Sequence, residues 1–299
     1  MTELPAAGIG GVAGIGGAAR RPAPDAPDLE LLRAFEPIVR YTEGELFFPS
    51  AVEPYLRECD LWVGRSERDR QLLLPRGEVS AETLGLHTPP PGTSLFLRLV
   101  QEPLDAIALA RWNRRPDRTA FRAPGRLARV GLFARLIDAG FSAALLLRGT
   151  VPGGTTAAAW HKYGSARLTD PRSVYYGRVV RTGDWLVLHY LWFYFMNDWR
   201  STFQGANDHE ADWEQAFVFL EATPGAVRPV WFACAAHERS GDDVRRRWDD
   251  PQLTREGDHP VIFAGAGSHA SYLERGDYLS LLAFTTPTPA GDRLMSAMR

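Results

Sequence analysis

Two cysteines in 299 residues, Cys59 and Cys234, are too few for a disulfide-rich secreted scaffold. Cys59 sits between Glu58 and Asp60 and Cys234 inside the apolar stretch Val230 to Ala236, so both read as unpaired thiols. Long apolar runs are also missing. The longest, Trp185 to Met196, has 12 residues and includes His189, whereas a membrane-spanning helix needs about 20. Neither sign of charge dominates: 34 basic against 36 acidic side chains leave a net charge of -2, with no overall pull toward nucleic acid or anionic membrane. The N-terminus carries Glu3 and Pro5 in place of the basic start and apolar core of a signal peptide, so the expectation is a cytoplasmic protein. Residues 265–269 read Gly-Ala-Gly-Ser-His, which is no nucleophile elbow, and there is no dinucleotide fingerprint, phosphate loop or His-Glu-x-x-His motif.

A chain of this length buries roughly 75% of its unfolded surface, enough for a real core without a metal or disulfide. Residues 1–28, rich in Gly, Ala and Pro, read as a disordered tail, and the Thr/Pro-rich 285–299 as a loose one. Between them, 29–284 reads as one β-rich domain. Strands are expected at Ile38–Tyr41, Leu61–Val63, Leu72–Leu74, Ser94–Val100, Val174–Val180, Trp185–Phe195, Gln215–Glu221, Arg228–Ala235 and Pro260–Ala264, with turn residues between them. Pro49 to Tyr55 reads as a short helix that Ser50 could cap. The spacing of Leu127, Val130, Phe133, Leu136 and Ile137 predicts a helix over 126–147 within an insertion at about 100–150. Its arginines also allow peripheral membrane contact. Arg111, Arg114, Arg115 and Arg118 around Trp112 read as a salt-bridged surface and not a nucleic-acid site. The expected fold is mostly β, an antiparallel β-sandwich-like domain with a helical insertion.

Polar chemistry concentrates between the two most apolar strands. Asp198, Asp208, His209, Glu210, Asp212 and Glu214 place five carboxylates and one imidazole within 17 residues. In a strand, Asp212 and Glu214 share a face, Trp213 takes the other, and His209 lies a short turn away. Oxygen donors with one imidazole make a seat for a divalent cation. The plainer alternative is a wet strand face with a turn histidine. Two further polar loops follow apolar strands, His237 to Gly241 and Gly267 to Tyr272, and strand ends on one rim can build one pocket. His237 and His269 are the natural partners for the carboxylates, and Ser268 and Ser271 add hydroxyls.

The stretches Glu36 to Tyr41, Glu45 to Val52, His209 to Glu214 and Ala264 to Tyr272 together resemble the Vps62-related proteins of fungi, plants and bacteria. The His209 to Glu214 motif is also similar to one in the necrosis- and ethylene-inducing peptide 1-like proteins. Those are secreted β-sandwiches that hold a divalent cation in an acidic pocket and recognise sphingolipid headgroups. The resemblance implies a cation near His209, Asp212 and Glu214, with Asp208 as a further ligand or as an acceptor orienting His209. His237 or His269 would ligate or carry protons, and Ser268, Ser271 and Trp213 would meet the bound molecule. Oxygen-rich ligation favours magnesium, calcium or manganese, whereas two or three imidazoles would favour zinc or iron. Two functions fit: a divalent-metal-dependent hydrolase, or a protein that binds a lipid headgroup, glycan or other small molecule without turnover.

Overall fold

The computed structural model describes residues 2–5, 21–66, 69–115, 153–198, 208–236 and 244–276. The predicted helix over 126–147, His237 and the tail at 285–299 lie outside them.

The strands are β1 (Thr2–Pro5), β2 (Ile38–Arg40), β3 (Asp60–Ser66), β4 (Asp69–Leu74), β5 (Ser94–Arg98), β6 (Val174–Thr182), β7 (Trp185–Asn197), β8 (His209–Thr223), β9 (Ala226–Cys234), β10 (Arg245–Arg247), β11 (Arg255–Glu256), β12 (His259–Ala264) and β13 (Ser271–Tyr272). The helices are α1 (Asp28–Ala34), α2 (Val52–Glu58), α3 (Ala81–Leu86), α4 (Ala106–Asn113) and α5 (Gly154–Thr169). A six-stranded sheet in the order β1-β6-β7-β8-β9-β10 forms the middle of the molecule. A small sheet built on β12, with β11, β13 and the parallel partner β2, packs on one face. A three-stranded sheet, β4-β3-β5, lies with α2 and α5 on the other. The fold is mostly β and antiparallel, sandwich-like, with α4 and α5 inserted between β5 and β6.

This layering explains the composition of β7. Leu186, Leu188, Tyr190, Trp192 and Tyr194 point into the core under the small sheet, while Phe193 and Phe195 point into the core under α2 and α5. From Trp192 onward the strand is buried on both sides, so it has no wet face there and reads as a continuous apolar run. Each such side chain, once fully buried, contributes on the order of 1.5–3 kcal/mol. Polar tips find partners: the Tyr190 hydroxyl donates to the Leu32 carbonyl at 2.8 Å and fastens α1 to the sheet.

Some expectations need correction. Within the stretch read as a disordered tail, Thr2–Pro5 pairs antiparallel with β6, and Arg21 forms a two-pronged ion pair with Asp258. Ser50 does not cap α2; Ala51 holds the cap position, and the Ser50 hydroxyl donates to the Phe48 carbonyl. Helix α5 was not anticipated. Its Ala157-Ala158-Ala159 run favours helix, but its buried face is made of small residues and Tyr163, so the apolar periodicity that announces most helices is weak. Among the described residues no helix is long and apolar enough to cross a membrane.

Gly64 in β3 is fixed by close approach: a Cβ there would lie 1.9 Å from the Asp69 backbone oxygen. Gly64→Ala should force β3 and β4 apart and lower stability by about 1–3 kcal/mol, read as a lower Tm in a thermal melt. An unchanged Tm would contradict this packing.

Candidate functional site

The chain bends sharply at two non-glycine residues with left-handed backbone, Ala211 (φ 59°) and His269 (φ 56°). Such conformations are uncommon for residues with a Cβ and are kept where the surroundings enforce them. His269 ends a tight loop after β12, closed by hydrogen bonds from the His269 N–H to the Gly265 carbonyl and from the Gly265 N–H to the Ala270 carbonyl. Gly267, at φ 73°, supplies the reversal. The loop is tied outward at Gly267, whose carbonyl accepts from the Asp198 N–H at 2.7 Å and whose N–H donates to Glu45 Oε2 at 2.8 Å.

That loop drives His269 into the core between two acids. Its Nδ1 lies 2.9 Å from Asp212 Oδ2, and its Nε2 lies 3.6 Å from Glu45 Oε1, the span of an ion pair and too long for a hydrogen bond. The imidazole lies flat on the Tyr194 ring, with centroids 3.8 Å apart and planes 3° from parallel. The Tyr194 hydroxyl meets that of Tyr41 at 2.9 Å. Asn197 donates from Nδ2 to both Asp212 Oδ2 and the Ser268 carbonyl, which fixes its amide orientation and leaves the buried Oδ1 without a hydrogen-bond partner. Glu45 Oε1 in turn accepts the Leu46 N–H at 2.9 Å. His209, half exposed, brings its Nε2 to 3.8 Å from Asp212 Oδ1.

The electrostatics follow from this packing. Burial works to lower the His269 pKa, but Asp212 and Glu45 overcome it and lift the imidazole to about 9, so it is an imidazolium at neutral pH. Burial works to raise Asp212, but His209 and His269 outweigh it and bring the carboxyl down to about 2. Glu45 is lowered in the same way, against its burial, by His269 and the N–H groups of Gly267 and Leu46. Glu214 goes the other way: burial, followed by the like charge of Asp212, pushes it up to about 9, so it keeps a proton at neutral pH. The cluster therefore holds two carboxylates, one imidazolium and one neutral acid.

Of the residues named from sequence, His209, Asp212 and His269 meet, with Glu214 two residues along the same strand face. Asp208 does not join them; its Oδ2 accepts from the Thr156 hydroxyl at 2.5 Å, at the start of α5 and on the other side of the sheet. Trp213 packs on Tyr176 and Phe193 and faces that same other side. Ser271 is buried and strand-paired, with its carbonyl accepting from Cys234 Sγ, and Ser268 lies against its own loop close over Gly265. Glu45, Asn197, Tyr41 and Tyr194 were missed as site residues. Glu45 carries the one available signal, an acid set directly before Leu46-Phe47-Phe48. Among the described residues, no group of three or more His, Cys, Asp or Glu side chains is arranged to hold a metal ion. The reason is visible in the bonds: Asp212 is engaged by His269 and Asn197, Asp208 by Thr156, and Glu210 by the N–H groups of Leu99 and Val100.

No protein-family model matches this chain, and no curated protein matches it. Among solved structures, it is similar to necrosis and ethylene inducing protein 2 from the causal agent of cocoa's witches' broom disease, at 21% identity and a TM-score of 0.27, covering 35% of this chain and 47% of that one. It is also similar to NLPPya in complex with glucosamine and with mannosamine, each at 18% identity and a TM-score of 0.23, covering 32% of this chain and 42% of that one. The chain thus spans less than half the length of these proteins. The similarity to the necrosis- and ethylene-inducing fold is distant and partial, and carries no functional inference.

The signs of the shifts set a pH dependence. His269 and Glu214 both bind their proton more tightly in the folded chain, so their contribution is full below their ordinary values and lost as pH rises through about 9. Asp212 acts oppositely, losing its contribution as pH falls from 3.8 toward 2. Thermal melts should show Tm falling from pH 6.5 to 9.5, at up to about 1.4 kcal/mol per pH unit for each group. In Glu214→Gln the fall should be shallower; a flat profile in the parent protein would contradict a charged His269 beside a neutral Glu214.

Proposed function

We propose that this chain binds a small polar ligand of positive charge, a glycan bearing an amine or a divalent cation that recruits a headgroup or glycan, without turning it over. The observation that carries this reading is the confinement of His269. Its side chain is fully buried, held between Asp212 and Glu45, and stacked flat on Tyr194. An imidazole hydrogen-bonded to Asp212 through Nδ1 and closed off from solvent beside Glu45 positions Asp212; it does not exchange protons with a substrate. Of the acids and imidazoles in the cluster, His209 is the half-exposed one, and Asp212 Oδ1 lies buried 3.8 Å behind its Nε2.

Asp212 and Glu45 lie against the His269 imidazolium with His209 beside Asp212, so the cluster offers carboxylate oxygens to an ammonium group or a cation. For a cation, His209 and Asp212, 3.8 Å apart, are the pair that could take one up, with Glu214 further along the strand and no three-ligand group in place among the described residues. When bound, the ion would supply an anchor for hydroxyl or phosphate oxygens. An amino sugar, which joins an ammonium group to several hydroxyls, is a natural first probe. A relation to the Vps62-related proteins, resting on the stretches 36–41, 45–52, 209–214 and 264–272, and a cytoplasmic setting with two free thiols belong to the same reading.

Hydrolysis is the second reading, and Glu214 favours it, because a buried carboxyl that keeps its proton at neutral pH is a ready general acid. One experiment separates the two. Calorimetric titration of the full chain with calcium, magnesium, manganese and glucosamine should give saturable heats that Asp212→Asn weakens at least tenfold, equal to about 1.4 kcal/mol. Parallel assays on ester, glycoside and phosphoester substrates should show no turnover with or without cation. No binding by any probe sinks the proposal, and turnover abolished by Glu214→Gln replaces it with the second reading.

A further inference from the structure

Strands β7 and β8 break the alternation of their side chains at the same level. Paired residues of an antiparallel ladder share a face, and the face changes with every step along a strand. Phe193 and Trp213, one such pair, lie on the side of α2 and α5, and the next pair, Tyr194 and Asp212, lies on the His269 side. The ladder skips Phe195 and Ala211 and resumes in the same register, with Met196 opposite Glu210 and Asn197 opposite His209.

Across that gap the faces no longer alternate. Phe195 and Met196 are consecutive, yet both are buried in the core under α2 and α5. On β8, Ala211 packs against that core, and the Glu210 carboxylate accepts the N–H groups of Leu99 and Val100, two of its members, at 2.5 Å and 2.9 Å. The following pair is thereby returned to the His269 side. Asn197 donates to Asp212 Oδ2 at 3.1 Å, and His209 Nε2 lies 3.8 Å from Asp212 Oδ1. Both arrive there although an odd spacing separates Asn197 from Tyr194 and His209 from Asp212.

On β8 the flip is made at Ala211, whose φ of 59° lies in the left-handed region that a β-branched residue enters least readily. Glu210 locks it from the far side of the sheet. The consequence is a choice of donors. Unbroken alternation would set Glu210 beside Asp212 and Glu214, three carboxylates along one face, with Met196 where Asn197 now stands. As folded, an imidazole and a carboxamide take those places, which lowers the negative charge of the face and softens its donor set.

We propose that Ala211 and Glu210 are positioning residues for the ligand-taking pair His209 and Asp212, and that together they bring an imidazole, and not a third carboxylate, to Asp212. Neither touches the ligand. The role rests on the reading of that pair as the ligand site, whereas the facing of His209 can be followed with no ligand present.

Four variants of the full chain test it. Ala211→Gly enters the left-handed region freely and Ala211→Val resists it; Glu210→Gln keeps an acceptor for the N–H groups and Glu210→Ala removes it. Each is made with and without Asp212→Asn, and the imidazole nitrogen resonances of His209 are followed by NMR. In the parent protein, Ala211→Gly and Glu210→Gln, those resonances should shift when Asp212 becomes Asn; in Ala211→Val and Glu210→Ala they should stay in place. Calcium and manganese titrations should divide the same way, with affinity about tenfold or more weaker in the second group and close to parental in the first. Thermal melts establish which variants fold, and if Ala211→Val does not, the folded Glu210→Ala carries the comparison. His209 resonances that still follow Asp212 in that variant, cation affinity that it retains in full, or an Ala211→Gly as impaired as Ala211→Val, overturns the proposal. Failure of the parent protein to bind either cation sinks the function proposed above, and the resonances alone then uphold or refute the facing of His209.

Discussion

The imidazolium of His269, clasped between Asp212 and Glu45, is the contact on which the candidate site depends. Three segments distant in the chain converge on it: the turn that carries Glu45, the long strand β8 and the loop after β12. A buried ion pair of this kind is poor at adding net stability but costly to break, because removing one partner strands the other charge in the core. Its value here lies in register. The left-handed backbone at His269 is tolerated because the loop is overdetermined by its own hydrogen bonds, by Gly267 and by the two carboxylates.

The like-charge relation between Asp212 and Glu214 follows from strand alternation and could be read from sequence, but its resolution could not. His209 and His269 hold Asp212 ionised against its burial, while burial and the charge of Asp212 leave Glu214 neutral. The aromatic environment adds to this: Tyr194 both stacks on His269 and, through Tyr41, reaches the segment leading to Glu45. Even the two cysteines conform, for burial pushes each thiol up to about 12 and leaves it inert as a nucleophile.

Much of the fold was legible because β7 and β8 declare themselves. Their run of Trp, Tyr, Phe and β-branched residues can only be a strand in this length, and the Thr182-Gly183-Asp184 and Pro224-Gly225 turns set the hairpins. Helix α5 was not legible, since its small buried residues, Ala157 and Ala159, match a close-packed surface without an apolar rhythm. Within the site, Asp212 and Glu214 could be read from period two and His269 from its position after a strand. Asp208 could not be assigned, because the backbone inversion at Ala211 is not written in any local pattern, whereas the opposite face of Trp213 followed from strand alternation. Glu45 was hidden for a different reason: its partners lie 222 residues away at Gly267 and still further at His269, and no local pattern encodes that distance.

The inversion at Ala211 reaches beyond the site. It lets Glu210 grip the N–H groups of Leu99 and Val100 on one side of the sheet while Asp212, two residues on, grips His269 on the other. A single short stretch of β8 thus acts as a rivet through the middle layer. Displacing either outer layer there breaks bonds to the same stretch of strand that holds the other, so the two cores are tied together through it.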